Sequence, residues 1–315
     1  MSQSRSINII TAYHFPASEA QAYQRLLNSA RSSIREIGDR GHLILVANGT
    51  NDGAEPLEDV VQAIGPARRE LVVPVALERN VRNVGGLNAG IKMLIEHLGL
   101  TDNSLVGLVQ PSVILQPGWL SKLEIKLDGS ENDAAFGRIV DEWNPSRIWA
   151  DGHLLKNGKT YPVDSKKSVG QPIDPVVKFP CLSAALFGGN LVKSIVRKYG
   201  EFVFAGLEHY GDCTDVALRA KAAANAMFQF CEDAVATKRW PITRQRVAFT
   251  SQIVAAGLYY QDRQKEATQR IKNSSEAAPY FVDATSAADK IMGLQYSATG
   301  QSPPSAGPLE VGCWL

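Results

Sequence analysis

An apolar run that ends in a polar, turn-forming loop is the feature that most constrains the fold of this chain. Residues 43–46 are all large and aliphatic, which is typical of a buried strand. Residues 47–53 then combine small, turn-forming side chains with a carboxylate, Asp52. In open α/β sheets, ligands bind at the carboxyl ends of the strands, and nucleotides are common among them. The run therefore predicts a strand that delivers Asn48 and Asp52 to a nucleotide-binding edge.

Strands and helices alternate along the first third of the chain, and this alternation predicts a parallel, doubly wound sheet. The expected strands are residues 7–13, 43–47, 71–76 and 105–109, and the expected helices are 19–37 (capped by Ser18), 56–64 and 85–98. Further helices are predicted at 117–127, 191–198 and 212–224, with strands at 134–140, 181–187 and 226–230. Residues 141–175 are rich in Gly, Pro, Asn and Lys and are expected to form loops and short strands.

Composition excludes several classes of protein. The 33 Lys and Arg residues balance 32 Asp and Glu residues, so nothing favours a nucleic-acid partner. The four cysteines form no C-x-x-C pair, which argues against a zinc or thioredoxin-like motif and fits reduced thiols; they are Cys181, Cys213, Cys231 and Cys313. The apolar segment at 7–10 is too short for a signal peptide or a membrane span. We therefore expect a cytoplasmic protein, and leave peripheral membrane contact open.

Polar residues follow four of the predicted strands. In a parallel sheet they should meet at one edge and form a binding site. The candidate ligand-binding residues are Thr11 and Tyr13, Asn48 and Asp52, Arg82 and Asn88, and Gln110 and Ser112.

These motifs resemble those of family-2 glycosyltransferases over about residues 6–230. The family pattern D-N-x-S-x-D-G is matched by residues 47–53, and N-x-G-x-x-G-G-N-N-x-G by residues 80–90, with Arg82 at a glycine position and Leu87 at an asparagine position. The N-P-D-V and P-G-W-L patterns are matched by residues 110–113 and 117–120. The acidic helix start resembles residues 212–220. No single motif is specific; their order and spacing carry the resemblance.

The resemblance implies a GT-A fold: Rossmann-like, doubly wound, with a mostly parallel mixed sheet followed by C-terminal helices. The expected division is a GT-A-like domain at 1–240, with a nucleotide half at about 6–115 and an acceptor half at about 116–240. C-terminal helices at 241–296 and an irregular tail at 297–315 would follow. Tyr13 would face the base, and Asn48 and Asp52 the nucleoside.

Three carboxylates of the family pattern are absent. Ala47 stands where the family's nucleobase-binding carboxylate lies, and Ser112 at the last position of its metal-binding D-x-D motif. Cys213 stands at the position of the catalytic base, so the neighbouring Asp212 or Asp215 is the expected base. Ser112 disfavours a Mn²⁺ or Mg²⁺ cofactor, and no metal ligands are predicted. Arg82, Arg138 or Lys178 could offset the charge of a leaving diphosphate instead.

Two functions remain open. The favoured one is transfer of a sugar from a nucleotide-sugar donor to a glycan, lipid-linked or peptide acceptor, with inversion and without a metal. The alternative is a non-catalytic, glycosyltransferase-like binding or scaffold protein.

Several single residues have an ordinary interpretation beside the functional one. Trp143 and Trp149 could stack on an acceptor or simply anchor loops. His14 and His209 could be bases or metal ligands, although a lone histidine is more often an ordinary polar residue. Arg219 is expected to pair with Asp215, one helical turn earlier.

Overall fold

The computed structural model describes residues 5–15, 18–156, 159–172, 178–205 and 212–239. The predicted C-terminal helices, the predicted tail and His209 lie outside these ranges. The strands are β1 (Ile7–Tyr13), β2 (Leu43–Asn48), β3 (Val72–Leu77), β4 (Leu105–Val109), β5 (Val113–Leu115), β6 (Ala134–Asp141), β7 (Ile148–Ala150), β8 (His153–Lys156), β9 (Lys159–Pro162), β10 (Ala184–Gly188) and β11 (Phe228–Lys238). The helices are α1 (Ala20–Ile37), α2 (Leu57–Ile64), α3 (Arg82–Glu96), α4 (Trp119–Leu127), α5 (Gly189–Tyr199) and α6 (Asp212–Ala224).

One mixed sheet organises the molecule, in the order β3-β2-β1-β4-β10-β6-β11-β5, with β7 beside β6. Strands β1 to β4 are parallel where they pair, and β6 is parallel to β11. Strand β10 runs antiparallel between β4 and β6, and joins the two parallel parts. Strands β8 and β9 form a separate hairpin. The mostly parallel mixed sheet expected from the sequence is confirmed.

Helices cover both faces of the sheet. On one face α1, α2 and α4 form one apolar core with alternate residues of β1 such as Ile7 and Ile9. On the other face α3 packs over Ile10 and Ala12 of β1, and α5 and α6 extend the same apolar core. Because both faces are covered, every residue of β1 is buried, which explains its nearly unbroken apolar sequence.

Two glycines let α3 approach β1 closely. A Cβ atom at Gly90 would lie 2.5 Å from Ile10 Cγ2, and one at Gly86 would lie 2.9 Å from the Cβ of Ala12. These glycines therefore serve packing, which was one of the two interpretations that the sequence allowed. Their effect is to bring the first turn of α3 against the carboxyl end of β1.

The structure differs from the expected elements in several places. Helix α1 begins at Ala20 after Glu19, without a side-chain cap, so Ser18 is not the cap. Strand β10 starts at Ala184 rather than 181, and the short strand β5 was not predicted. Strand β11 continues past 230 to Lys238 through a break in register between Cys231 and Val235. None of the helices in the described ranges is long and apolar enough to cross a membrane.

Candidate active site

The loop that follows β2 is tied to the start of α3 by Asn48. The buried Asn48 side chain donates to Arg82 O at 2.7 Å and to Asn80 Oδ1 at 3.1 Å, and accepts from the Val81 N–H at 2.9 Å. The direct contact to a nucleoside that the sequence suggested for Asn48 is therefore not available to its side chain in this conformation. Its observed role is to hold residues 80–82 in place.

Asp52 supports the same loop but stays exposed. Its Oδ2 accepts a hydrogen bond from the Asn80 N–H at 2.6 Å. Its other carboxylate oxygen has no partner among the residues that the structure describes, so Asp52 can still accept a hydrogen bond from a ligand. The exposed His14 lies nearby, with Nδ1 2.6 Å from Asn48 O.

Arg82 begins α3 with a backbone φ of +66°. This left-handed conformation favours glycine, which explains why the family pattern has glycine at this position. In this chain the Asn80 side chain accepts a hydrogen bond from the Arg82 N–H at 2.8 Å, and Asn48 binds the Arg82 carbonyl. The exposed Arg82 side chain is thereby placed at the first turn of α3, on the edge of the sheet.

Thr11 and Tyr13 point into the protein rather than out of the edge. Thr11 is fully buried, and Tyr13 is 2% exposed. The Tyr13 hydroxyl donates to Glu55 O at 2.8 Å, and burial raises the pKa of Tyr13. In this conformation the Tyr13 ring is enclosed and its hydroxyl is already bonded, so the contact with a base expected from the sequence stays a prediction.

Asn88 also has a structural partner. Its Nδ2 donates to Val203 O at 2.7 Å, while its Oδ1 accepts from the N–H groups of Phe202 and Val203 at 3.2 and 3.0 Å. The side chain thus fixes the loop after α5 against α3. This is the ordinary polar contact that the sequence left open for Asn88, and it leaves little capacity for a ligand.

Gln110 lies at the centre of a second group of polar side chains, at the ends of β4 and β11 and just before β10. Gln110 Oε1 accepts from Lys238 Nζ at 2.7 Å and from Ser183 Oγ at 3.0 Å. Lys238 Nζ also donates to Ser183 Oγ at 2.9 Å, and lies 4.2 Å from the centre of the Trp149 ring. Burial lowers the pKa of Lys238. The cation occupies the strand end that carries the D-x-D motif in the resembled family.

Gln110 and Ser112, which the sequence resemblance aligned with the D-x-D motif, do not fit a Mn²⁺ or Mg²⁺ ion. Both ions prefer carboxylate oxygens, whereas Gln110 offers an amide and Ser112 a neutral hydroxyl. The Gln110 oxygen is also already bonded to a lysine ammonium, which would repel a cation. Ser112 is half-buried and makes no hydrogen bond within the described ranges.

The two candidate bases at the start of α6 have different environments. Asp215 is fully buried, accepts from the Phe204 N–H at 2.8 Å and lies 2.8 Å from Arg219 Nε, which confirms the expected pair. Burial raises the pKa of Asp215 to about 6, although Arg219 opposes the shift. Asp212 is only half-buried, and its Oδ1 accepts from the Cys213 N–H at 2.8 Å. Burial raises the pKa of Asp212 as well.

Two cysteines and a histidine adjoin Asp212. The nearest ring nitrogen of His153 and the Sγ atoms of Cys181 and Cys213 all lie within 4.8 Å of one another. Hydrogen bonding with Cys213, aided by His153 and Lys238, holds the pKa of Cys181 well below its usual value. The pKa of Cys213 is raised by Cys181, by burial and by Asp212.

The other cations suggested by the sequence are already paired. Arg138 makes a bidentate ion pair with the buried Asp151, with atoms 2.9 and 2.7 Å apart. Lys178 Nζ lies 3.0 Å from Asp164 Oδ2. Neither side chain is therefore placed to neutralise a diphosphate. Trp143, by contrast, is 60% exposed, with the Arg239 guanidinium 3.8 Å from its ring centre.

Lys238, Ser183, Cys181 and His153 were not among the residues singled out from the sequence as a site. Their neighbours carry no motif, and each reaches the site only through tertiary contacts. The one feature of the sequence that pointed to this group of residues was Cys213, which aligned with the position of the catalytic base in the resembled family.

The fold is that of the GT-A glycosyltransferases. The chain resembles a fragment of S. aureus TarS with a TM-score of 0.53 and 11% identity, over 86% of this chain and 70% of the fragment. It also resembles GalNAc-T7, solved with UDP, GalNAc and Mn²⁺, with a TM-score of 0.56 and 10% identity, over 92% of this chain and 55% of that one. No family model matches the sequence, and no curated protein does so. At such identities the likeness shows the fold alone.

Proposed function

We propose that the protein transfers a sugar from a nucleotide-sugar donor to an acceptor hydroxyl, with inversion at the anomeric carbon and without a divalent cation on the diphosphate. The observation that carries the proposal is the position of Lys238. Its ammonium group is 2.7 Å from Gln110 Oε1, at the strand end where the resembled family binds a metal. The GT-A fold, together with the UDP and GalNAc present in the similar GalNAc-T7 structure, supports the reaction class.

Lys238 would offset the negative charge that develops on the leaving diphosphate. A cation that is already held in place and partly shielded from water stabilises such charge without reorganisation during the reaction. Gln110 and Ser183 hold Lys238 through neutral oxygens, so its positive charge is not cancelled by these partners. Arg138 and Lys178, by contrast, are each in direct ion-pair contact with a buried carboxylate.

Asp212 would act as the general base. It is half-buried, whereas Asp215 is enclosed and bonded to Arg219. In the reaction Asp212 takes the acceptor proton as the acceptor oxygen bonds to the anomeric carbon. The bond between that carbon and the phosphate oxygen breaks, and the nucleoside diphosphate leaves with the electron pair.

The nucleoside would bind at the loops after β2 and before α3. Asp52 keeps a free carboxylate oxygen, and Arg82 lies at the first turn of a helix, where backbone amides favour phosphate. Asn48 and Asn88 would act indirectly, by fixing the loops on either side. The cytoplasmic location, the division into nucleotide and acceptor halves, and a glycan, lipid-linked or peptide acceptor stay predictions.

A thermal-shift titration with UDP, GDP and dTDP, each with Mn²⁺ and with EDTA, tests the proposal. A ligand that binds the folded state raises the melting temperature by mass action. We expect at least one nucleotide to stabilise the protein in EDTA. If none does so under either condition, the transferase proposal fails. Nucleotide binding without transfer to any acceptor would favour the alternative, a non-catalytic binding protein.

A further inference from the structure

We propose that His153, Cys181 and Cys213 form a binding site for a thiophilic divalent metal ion, for which Zn²⁺ is the best match. The three residues lie beside Asp212 and close to Lys238, but the proposal concerns metal binding alone and does not depend on glycosyl transfer. The three residues come from distant parts of the chain: β8, the turn before β10, and the first turn of α6.

The geometry is close to what a single ion requires. The three ligand atoms lie within 4.8 Å of one another. Around a tetrahedral Zn²⁺ ion, with bonds of about 2.0–2.3 Å, neighbouring ligand atoms are about 3.5–4 Å apart. Small side-chain rotations would close the difference. In the described part of the chain, this is the one group of at least three His, Cys, Asp or Glu side chains found close enough to hold a metal.

The chemistry of the ligands selects the type of metal. Thiolate and imidazole ligands favour Zn²⁺ over the hard ions Mg²⁺, Ca²⁺ and Mn²⁺, which prefer oxygen. Two thiolates would also balance the charge of a divalent ion. Three protein ligands leave the fourth tetrahedral position for a water molecule.

The surroundings contain a polar atom that lacks a partner. The buried His153 Nδ1 makes no hydrogen bond within the described ranges. A buried nitrogen without a partner is unfavourable, and a metal ion bound at that nitrogen would supply the missing partner. The Leu182 N–H also donates to Cys213 Sγ at 3.3 Å, which is the type of contact that orients a metal-bound thiolate.

Cobalt provides a direct test, because Co²⁺ occupies zinc sites and bonds between Co²⁺ and thiolate absorb in the near ultraviolet. The full chain, reduced and freed of metal, is titrated with Co²⁺ and then with Zn²⁺, without nucleotide or acceptor. We expect one Co²⁺ per chain, a thiolate-to-cobalt absorption band, and loss of the band when Zn²⁺ displaces the cobalt. Absence of the band in the reduced wild-type protein would overturn the proposal.

Variants locate the site. Cys213→Ser and His153→Gln should each weaken metal binding by about 100-fold or more, because each removes one ligand. Cys231→Ser is the matched control, since Cys231 is a buried free cysteine on β11 outside the group of three. If Cys213→Ser does not fold, His153→Gln gives the same test with both thiols retained. Equal binding by His153→Gln and wild type would overturn the assignment.

The titration also separates the metal site from a redox pair. Cys181 and Cys213 could instead form a disulfide in the absence of reductant. A protein that forms this disulfide but binds no Co²⁺ when reduced would refute the metal proposal. Nucleotide binding in the thermal-shift experiment would be unaffected by that outcome, so the two proposals fail separately.

Discussion

The two ends of the sheet edge use their polar side chains in different ways. In the loops after β2 and before α3, Asn48, Asn80 and Asp52 bond mainly to one another and to the backbone. Around β4, β10 and the start of α6, Lys238 is held by the neutral oxygens of Gln110 and Ser183, and the buried His153 Nδ1 makes no hydrogen bond within the described ranges. The side chains of the first region mainly fix the conformation of the loops. Those of the second region remain able to interact with a ligand.

Asp212→Asn, at the start of α6, should have the largest effect on sugar transfer. Loss of a general base lowers the rate about 10²–10⁴-fold, so transfer should fall by that factor. The melting temperature should change little, since Asp212 is half-buried and its hydrogen bonds within the described part of the chain are to the adjacent Cys213. Initial rates of nucleotide release with acceptor measure the effect. The exposed Asp233→Asn is the control. An unchanged rate would remove Asp212 from the mechanism.

Asp215→Asn should affect stability instead. The carboxylate pairs with Arg219, and both side chains are buried, at 0% and 1% exposure. Removing one member of a buried ion pair costs about 3–5 kcal/mol. Arg219 would keep its longer contact with Glu201, Nη2 to Oε1 at 3.4 Å, so the loss should lie at the lower end of that range. Urea denaturation measures the loss, and Asp215→Asn combined with Arg219→Met should recover part of it. Near-wild-type stability of the single variant would show that the pair is not a structural requirement.

Asn48→Ala should have a smaller effect, confined to the loops. It leaves the Val81 N–H and the Arg82 carbonyl without their partner, at a cost of about 1–3 kcal/mol. Nucleotide affinity should fall in parallel, since the first turn of α3 would lose its support. The neighbouring, exposed Asn51→Ala serves as the control in chemical denaturation and nucleotide titration. Equal stabilities of the two variants would contradict the supporting role of Asn48.

Much of the fold could be predicted from local sequence, because β1, β4 and α6 are marked by strong periodicity and clear boundaries. The predicted strand at 226–230 ended earlier than β11 does, because the exposed Glu232 and Asp233 in the irregular segment of β11 interrupt the apolar pattern. The candidate site was harder. Motifs identified the loops around Asn48 and Gln110. They did not indicate that the Asn48 side chain would form hydrogen bonds with the start of α3.

The partners of Gln110 lie 73 and 128 residues away, at Ser183 and Lys238. Such pairings depend on the order of strands in the sheet, which no local pattern specifies. The prediction against a metal site had the same limitation of local patterns. It rested on the absence of a C-x-x-C motif, which concerns only cysteines that are close in sequence. Folding brings Cys181 and Cys213 together with His153.

The central claim is that Lys238 takes the place of a metal at the diphosphate. Its most direct test is the affinity of the best-stabilising nucleoside diphosphate for wild type and Lys238→Met in EDTA, by calorimetric titration. Truncating one partner of a close charge pair costs about 2–5 kcal/mol, so affinity should fall at least about 30-fold. Lys122→Met, a control for losing one lysine, should bind like wild type. Equal affinity of wild type and Lys238→Met, or wild-type binding only with Mn²⁺, would contradict the claim.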